Sequence, residues 1–196
     1  EKGVLVLAHG AGGNMSDRGV LAGGKAMRGA GLGVVRFNFP YKERKAGRPD
    51  PMPLLMDAVV AVAERAFEEL RPERLIIGGR SMGGRAASML AAGGFDADGL
   101  LLLAYPLHPP NQFGKLRDTH LPQISLPVLC LNGTRDEFCR RDLMVRTLTL
   151  VKPVWTMHWL EGADHSFHVL RSSGRSGADL LGEVRAATAG WLDGLT

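Results

Sequence analysis

The chain has 196 residues, of which 45% are hydrophobic, and this length and composition predict one domain spanning residues 1–196. The formal net charge of +4 is modest, so charge alone does not indicate a nucleic-acid partner. No apolar run approaches the roughly 18 residues that a membrane span requires. We therefore expect neither nucleic acid nor a membrane as a partner.

Both cysteines fall in predicted structural elements. Cys130 lies in a predicted core strand and Cys139 in a helix expected to follow it. Such positions favour buried, reduced thiols over a disulfide framework, which favours a cytoplasmic location. The first residues contain no apolar signal-peptide segment, but the chain does not begin with Met, so a removed targeting segment stays an alternative.

Strand patterns alternate with helical patterns along the whole chain. The predicted strands are 4–8, 33–37, 75–78, 99–103, 128–132 and 154–160. The main predicted helices cover residues 16–30, with Ser16 or Asp17 as the cap, and residues 53–70, 84–92 and 178–195. The pattern predicts an α/β fold, a three-layer α/β/α sandwich around a mostly parallel six-stranded sheet.

Two helices show apolar residues at helical spacing, which predicts the faces that they bury. Trp191 on the last helix is expected to lie against the sheet. The apolar positions are Leu55, Val59, Val62, Ala66 and Leu70 on one helix, and Leu181, Val184, Thr188, Trp191 and Leu195 on the other.

The longest irregular segment covers residues 104–126 and contains four prolines. Loops of this length commonly serve as lids or binding loops. It follows the fourth strand, and we expect it at the same sheet edge as the residues described next.

A serine stands between two glycines where a strand meets a helix. The run Gly79-Arg80-Ser81-Met82-Gly83 follows an apolar strand and precedes an Ala-rich helical stretch. Glycines on both sides of Ser81 allow the sharp turn of a nucleophile elbow, which exposes the serine hydroxyl. The sequence therefore predicts Ser81 as a nucleophile.

An acid and a histidine follow in the order that such an elbow requires. Asp136 comes after the fifth strand and His165 after the sixth, which gives the chain order Ser, Asp, His. Glu137 and Asp142 are the alternatives to Asp136. In this prediction His165 is the general base and Asp136 orients its ring.

A glycine-rich segment, residues 9–13, directly follows the first strand. Backbone N–H groups in such a loop can stabilise a developing oxyanion. We expect the N–H group of Met82, together with that of Ala11 or Gly12, to form the oxyanion hole. The side chain of His9 is expected to make a structural hydrogen bond.

These motifs resemble those of the α/β-hydrolase superfamily, in its dienelactone-hydrolase-like branch. The narrower resemblance is to the hydrolase-like proteins grouped with testis-expressed protein 30 and the third regulatory subunit of the NSL histone acetyltransferase complex. The matching segments span nearly the whole chain: 9–12, 36–41, 79–85, 105–109, 133–138 and 164–167. The resemblance implies the strand order 2-1-3-4-5-6, a reduced lid and an open site.

Several further residues are candidates for contacts with substrate. Lys42 and Arg44 lie in a basic loop after the second strand, Arg80 flanks the elbow, and His108 lies in the proline-rich loop. Tyr41 belongs to the same basic region. A solvated basic loop and a backbone-bonded His108 are the alternative interpretations.

The leading hypothesis is a serine hydrolase that cleaves an ester, thioester or lactone bond of a small molecule, with an anionic group as a candidate substrate feature. The alternatives are a protein-binding module that keeps the hydrolase fold without significant turnover, and a peptidase. No metal or cofactor is expected: the histidines show no ligand spacing, and a P-loop-like stretch at residues 19–26 lacks the required Ser or Thr. We expect a monomer or a homodimer.

Overall fold

Six strands form one sheet in which every neighbouring pair runs parallel, in a computed structural model that describes residues 2–195. The spatial order is β2-β1-β3-β4-β5-β6, which confirms the predicted order. The strands are β1 (Val4–Ala8), β2 (Gly33–Arg36), β3 (Leu75–Arg80), β4 (Gly99–Leu103), β5 (Val128–Gly133) and β6 (Trp155–Leu160).

Helices cover both faces of this sheet. The helices are α1 (Arg18–Gly29), α2 (Pro40–Glu43), α3 (Met52–Leu70), α4 (Met82–Ala92), α5 (Arg141–Leu148) and α6 (Gly177–Asp193). Helices α1 and α6 pack together on one face, and α3, α4 and α5 contribute to a second core on the other. The fold is therefore the predicted three-layer α/β/α sandwich.

Local differences from the sequence prediction have simple causes. The short helix α2 was not predicted; it begins at Pro40, whose fixed φ suits a first helical turn. Strand β3 extends to Arg80 and α4 begins at Met82, so the single residue Ser81 connects them.

Cys139 lies in the loop before α5, so its placement in a helix was wrong. Both thiols are free and buried, and burial raises the pKa of each.

The buried helix faces agree with the expected ones only in part. On α6, Val184, Thr188 and Trp191 are buried as expected, and Leu195 is buried just beyond the helix. On α3 the buried face turns toward Ala63, while Leu70 is 54% exposed, so the expectation for Leu70 was wrong. The helix ends there, and Arg71 leads the chain away with a left-handed φ of 44°.

The proline-rich loop 104–126 is a part of the core. Six of its apolar side chains are buried, and a 3-10 turn at Leu121–Gln123 packs against α4. The buried apolar side chains are Ala104, Tyr105, Pro106, Leu107, Leu121 and Ile124. The loop therefore supports the sheet edge instead of covering it as a lid. Within residues 2–195, no helix has the length and apolar character needed to cross a bilayer.

Candidate active site

Ser81 occupies the sharp turn between β3 and α4. Its φ of 50° and ψ of −117° are unusual for a residue with a side chain. Two backbone hydrogen bonds fix this conformation: the Ser81 N–H donates to the Leu103 carbonyl, and the Ser81 carbonyl accepts from the Arg85 N–H, both at 2.9 Å. The surrounding sheet and helix thereby hold the turn of a nucleophile elbow.

The glycines on either side of Ser81 are required by close backbone contacts. A Cβ atom at position 79 would lie 2.5 Å from the carbonyl carbon of Gly83. A Cβ atom at position 83 would lie 2.5 Å from the carbonyl oxygen of His9. Because backbone atoms cannot yield as a flexible side chain can, only glycine fits at these two positions.

The three residues predicted as a triad are joined by hydrogen bonds. The Nε2 atom of His165 lies 2.9 Å from the Oγ atom of Ser81. The Nδ1 atom of His165 lies 2.8 Å and 2.9 Å from the two carboxylate oxygens of Asp136. The alternative acids do not take this place: Glu137 is exposed, and Asp142 pairs with Arg140 at 2.6 Å and 2.7 Å.

The Asp136 carboxylate is fully buried and receives two further donors. The Phe138 N–H donates to its Oδ1 atom at 2.8 Å, and the Asn132 amide donates to its Oδ2 atom at 3.3 Å. Asn132 also bonds both backbone groups of Tyr105. Sequence reasoning missed Asn132, although a polar residue in an apolar strand run was an available signal.

The loop that carries His165 is fixed from two sides. The Asp164 carboxylate accepts hydrogen bonds from the N–H groups of Ser166 and His168, both at 2.9 Å. The Arg80 guanidinium donates to the His165 carbonyl at 2.6 Å and lies over the Phe167 ring, 5.1 Å from its centroid. Burial lowers the pKa of Arg80. Arg80 thus connects the elbow to the histidine loop.

The predicted oxyanion donors lie in two segments next to Ser81. Among the described residues, the N–H groups of Ala11, Gly12 and Met82 make no intramolecular hydrogen bond. Gly10 fits closely against the elbow, since a Cβ atom there would lie 3.5 Å from the Cβ of Ser81. These free N–H groups are available to an oxygen atom bound beside Ser81.

The side chains of His9 and Tyr41 form hydrogen bonds that hold the glycine-rich loop in place. The His9 ring is buried, its Nδ1 atom lies 2.8 Å from the Gly10 carbonyl oxygen, and its Nε2 atom accepts from the Phe39 N–H at 3.1 Å. The Tyr41 hydroxyl donates to the Ala11 carbonyl at 2.7 Å. His9 therefore makes the expected structural bonds, and Tyr41 is placed to support the loop, not to contact a substrate.

The structure does not bring the other candidate contact residues to the cavity at Ser81. Arg44 is exposed and pairs with Asp50 at 2.5 Å, and the Nζ atom of Lys42 lies 5.8 Å from the centroid of the Tyr41 ring. His108 is buried, with its Nδ1 atom 2.9 Å from the Pro109 carbonyl oxygen and its Nε2 atom accepting from the Arg140 N–H at 2.9 Å. Only Arg80 of the predicted basic residues lines the cavity.

A cavity of about 730 Å³ opens at Ser81. Its lining includes the glycine-rich loop, Arg80, His165 and Phe167, together with residues of α1 and α6. No residue of the loop 104–126 lines it. Within residues 2–195, no cluster of three or more His, Cys, Asp or Glu side chains has the arrangement of a metal site.

The strand order, the elbow after β3, and the acid and histidine after β5 and β6 together define an α/β-hydrolase fold. A sequence profile of the α/β-hydrolase domain family matches residues 1–193. The chain therefore belongs to the α/β-hydrolase family.

Solved structures of similar fold include two bacterial serine hydrolase relatives. A Xanthomonas campestris protein, named as an α/β serine hydrolase without a lid, is 24% identical with a TM-score of 0.75, over 96% of this chain and 82% of that chain. A Coxiella burnetii α/β serine hydrolase homologue is 20% identical with a TM-score of 0.76, over 96% of this chain and 84% of that chain.

A dienelactone hydrolase from Anabaena variabilis is 18% identical with a TM-score of 0.73, over 98% of this chain and 86% of that chain. At these identities the likeness concerns the fold. The resemblance to the testis-expressed protein 30 group stays a prediction.

Proposed function

We propose that the protein is a serine hydrolase that cleaves an ester, thioester or lactone bond through an acyl-enzyme intermediate. The observation that carries this proposal is the continuous hydrogen-bonded series from Asp136 through His165 to Ser81, next to backbone N–H groups that make no hydrogen bond within residues 2–195. Acyl transfer requires a nucleophile, a base and an oxyanion site in such an arrangement.

In the first half-reaction the Ser81 oxygen attacks the substrate carbonyl carbon while its proton moves to Nε2 of His165. The carbonyl oxygen becomes an oxyanion and accepts hydrogen bonds from the N–H of Met82 and that of Ala11 or Gly12. The intermediate then expels the alcohol or thiol, which takes the proton from His165. The product of this half-reaction is an acyl ester of Ser81.

In the second half-reaction water takes the place of the leaving group. His165 removes a proton from the water as its oxygen attacks the acyl carbon, and the collapse of the intermediate returns a proton to Ser81 and releases the carboxylic acid. Asp136 accepts from the Nδ1–H of His165, which leaves Nε2 free to act as the base. The buried carboxylate also stabilises the imidazolium that forms in each half-reaction.

A preference for anionic substrates is supported by Arg80, which adjoins Ser81 in the chain; Arg18 also lines the cavity, but so does Asp17. Among the described residues, the guanidinium of Arg80 has no carboxylate partner, and it lines the cavity beside Ser81. The test compares a carboxylate-bearing ester with its neutral methyl-ester analogue at low salt, for the wild type and for Arg80→Gln. Equal kcat/KM values for the two esters in the wild type would remove the anionic preference and leave hydrolysis itself intact.

The alternative functions are a catalytically weak protein-binding module and a peptidase. The enzyme hypothesis is favoured because decay of catalysis commonly removes a triad member, and here the three side chains lie within hydrogen-bonding distance. Esters and amides use the same triad, so a matched ester and amide pair distinguishes an esterase from a peptidase.

Labelling by a fluorophosphonate tests the proposal directly. We expect the wild type to react, Ser81→Ala not to react, and Ser125→Ala to react as the wild type does, because Ser125 is exposed and lies outside the cavity. A folded wild-type protein that neither labels nor hydrolyses short esters would favour the binding module.

A further inference from the structure

Strand β6 forms one edge of the sheet and pairs only with β5 within residues 2–195. The Val128 N–H donates to the Val154 carbonyl at 2.8 Å, and the Thr134 N–H donates to the Leu160 carbonyl at 3.1 Å. Backbone groups alternate in direction along a strand, so the even-numbered residues from 154 to 160 direct their N–H and C=O groups toward β5. Residues 155, 157 and 159 therefore direct theirs outward, where no described residue bonds them.

This edge lacks the features that commonly prevent pairing with another chain. Natural proteins protect an exposed edge strand with charged side chains, a proline, a bulge or a short length. Strand β6 has six residues, contains no Pro, Lys, Arg, Asp or Glu, and keeps one continuous register with β5. The opposite edge strand, β2, has four residues and ends at Arg36. Strand β6 is therefore the edge that is open to pairing.

Three large side chains of β6 lie on one face of the sheet. Because side chains alternate along a strand, Trp155, Met157 and Trp159 share the face on which α5 packs, and all three are half-buried there. The Arg141 guanidinium of α5 lies over the Trp159 ring, 5.3 Å from its centroid. Val145 lies one turn further along the same side of α5 and is 51% exposed. A row of apolar side chains thus stays partly in contact with solvent along this edge.

We propose that β6 pairs antiparallel with β6 of a second copy of this chain, so that two sheets join into one across a two-fold axis at Met157. In this register Met157 lies opposite Met157 of the second copy, and Trp155 lies opposite Trp159 of the second copy. Each outward-directed residue then faces another, so both of its backbone groups gain a partner. Cross-strand aromatic pairs on the same face add to the stability.

The charges at the two ends of β6 agree with this direction of pairing. Lys152 precedes the strand, is exposed, and bonds the Ser125 hydroxyl at 2.5 Å, with no carboxylate partner within residues 2–195. Glu161 follows the strand; its side chain is 77% exposed and its carboxylate lies 4.0 Å from the Arg141 guanidinium. Antiparallel pairing brings the Lys152 end of each strand beside the Glu161 end of the other, which is favourable.

The proposed assembly closes at two chains. A two-fold axis uses the same edge of both copies, so no second β6 edge is left to bind a third chain. The dimer does not involve Ser81, and the inference is independent of the proposed hydrolase function. The occupant is a second copy because the outward groups, the aromatic side chains and the end charges of β6 each find their complement in β6 itself.

The oligomeric state in solution is the first test. Sedimentation velocity over a series of concentrations should show the wild type at twice the mass of one chain. Met157→Lys and Met157→Glu each place like charges opposite each other at the axis, which should raise the dissociation constant of the dimer at least about a hundredfold. Leu70→Lys and Leu70→Glu make the same changes at an exposed position of α3 and should leave the dimer intact.

Mixing the charged variants tests the register. Because position 157 faces itself across the axis, an equimolar mixture of Met157→Lys and Met157→Glu should recover a dimer that neither variant forms alone. No other register places these two substituted positions directly opposite each other. A mixture that stays monomeric, with both variants folded by circular dichroism and thermal unfolding, would contradict the proposed axis.

A cysteine variant keeps the test open if the charged variants are unstable. Met157→Cys should form a disulfide between two chains under mild oxidation, because Cα atoms of such a hydrogen-bonded pair lie about 5.5 Å apart. Thr156→Cys is the control, since position 156 lies opposite His158 of the second copy and roughly 7–8 Å from position 156. The native thiols, Cys130 and Cys139, are buried.

Two results would overturn the inference. One is a wild type that is monomeric at every concentration up to its solubility limit. The other is a wild-type dimer that persists in folded Met157→Lys and Met157→Glu, while Met157→Cys forms no disulfide between chains, because the interface would then lie elsewhere. Either result leaves the hydrolase proposal intact, since that proposal is judged by ester cleavage and fluorophosphonate labelling.

Discussion

His9 and His108 are buried at two different corners of the sheet and make the same pair of hydrogen bonds. In each ring Nδ1 bonds the carbonyl oxygen of the next residue, and Nε2 accepts a backbone N–H from a distant loop. An acceptor nitrogen cannot carry a proton, so each ring is neutral in this arrangement. The two rings connect segments 30 and 32 residues apart.

The free energy of unfolding should decrease in mild acid. Burial lowers the pKa of His9, and burial together with Arg85 lowers the pKa of His120 to about 4, whereas an unfolded histidine titrates near about 6.5. The unfolded chain thus binds more protons below about pH 6.5, so stability is fully present above that pH and is lost toward about pH 4. We expect both histidines to contribute to this loss.

Urea unfolding at a series of pH values measures this dependence. His9→Asn should reduce the slope between about pH 6.5 and pH 4, because its side chain does not titrate. His168→Asn is the control, since His168 is exposed. The interpretation is rejected if His9→Asn keeps the wild-type slope.

Backbone strain at Ser81 should appear as a stability difference between two inactive variants. A φ of 50° is disfavoured for any residue with a Cβ atom but not for glycine. We expect Ser81→Gly to be more stable than Ser81→Ala by about 1–2 kcal/mol, measured by chemical denaturation. At Ser125, where φ is not positive, glycine should be the less stable of the two. Equal stabilities of the Ser81 pair would contradict the strained elbow.

Asn132 should affect both stability and the pH dependence of turnover. Asn132→Ala leaves the buried backbone groups of Tyr105 unpaired and removes one donor to Asp136, so it should cost about 1–3 kcal/mol of unfolding free energy. Asn132→Asp places a second carboxylate beside Asp136, which raises the pKa of the pair.

The measurements are denaturation for Asn132→Ala and a pH profile of kcat/KM for Asn132→Asp. The acidic limb of that profile should move to higher pH in Asn132→Asp. The same substitution at the exposed Asn111 should leave the profile unchanged. An unshifted limb in Asn132→Asp would show that Asn132 does not influence Asp136.

Arg80 is expected to act on turnover by positioning the histidine loop. Arg80→Gln loses the bond to the His165 carbonyl and the contact with Phe167, so kcat for a neutral ester should fall about tenfold while KM changes little. Arg80→Lys keeps one donor and should recover part of the activity.

Arg135→Gln is the control, because Arg135 also donates to a loop carbonyl, that of Gly162, but is exposed. It should leave kcat and KM unchanged. A rise in KM for neutral esters without a fall in kcat in Arg80→Gln would assign Arg80 to substrate binding alone.

The fold and the three predicted triad residues could be predicted before the structure was known, but some contacts around them could not. The resemblance to the α/β-hydrolase superfamily implied the sheet order. The positions of Ser81, Asp136 and His165 after successive strands predicted that they converge, because the ends of parallel strands meet at one sheet edge. The sequence did not predict Asn132 as a partner of Asp136, or that the loop 104–126 and the rings of Tyr41 and His108 are buried. Burial of a loop depends on packing partners far away in the chain, which local patterns do not encode.

The sequence by itself determined the class of fold and the chemical groups that the candidate site contains, because residue type and spacing along the chain carry that information. Only the tertiary structure decided where the cavity lies, since its walls come from α1, β4 and α6, which are distant in sequence. The distance between a helix and the sheet depends on how their side chains pack, and a glycine in the helix allows a closer approach. Local sequence patterns do not set this distance.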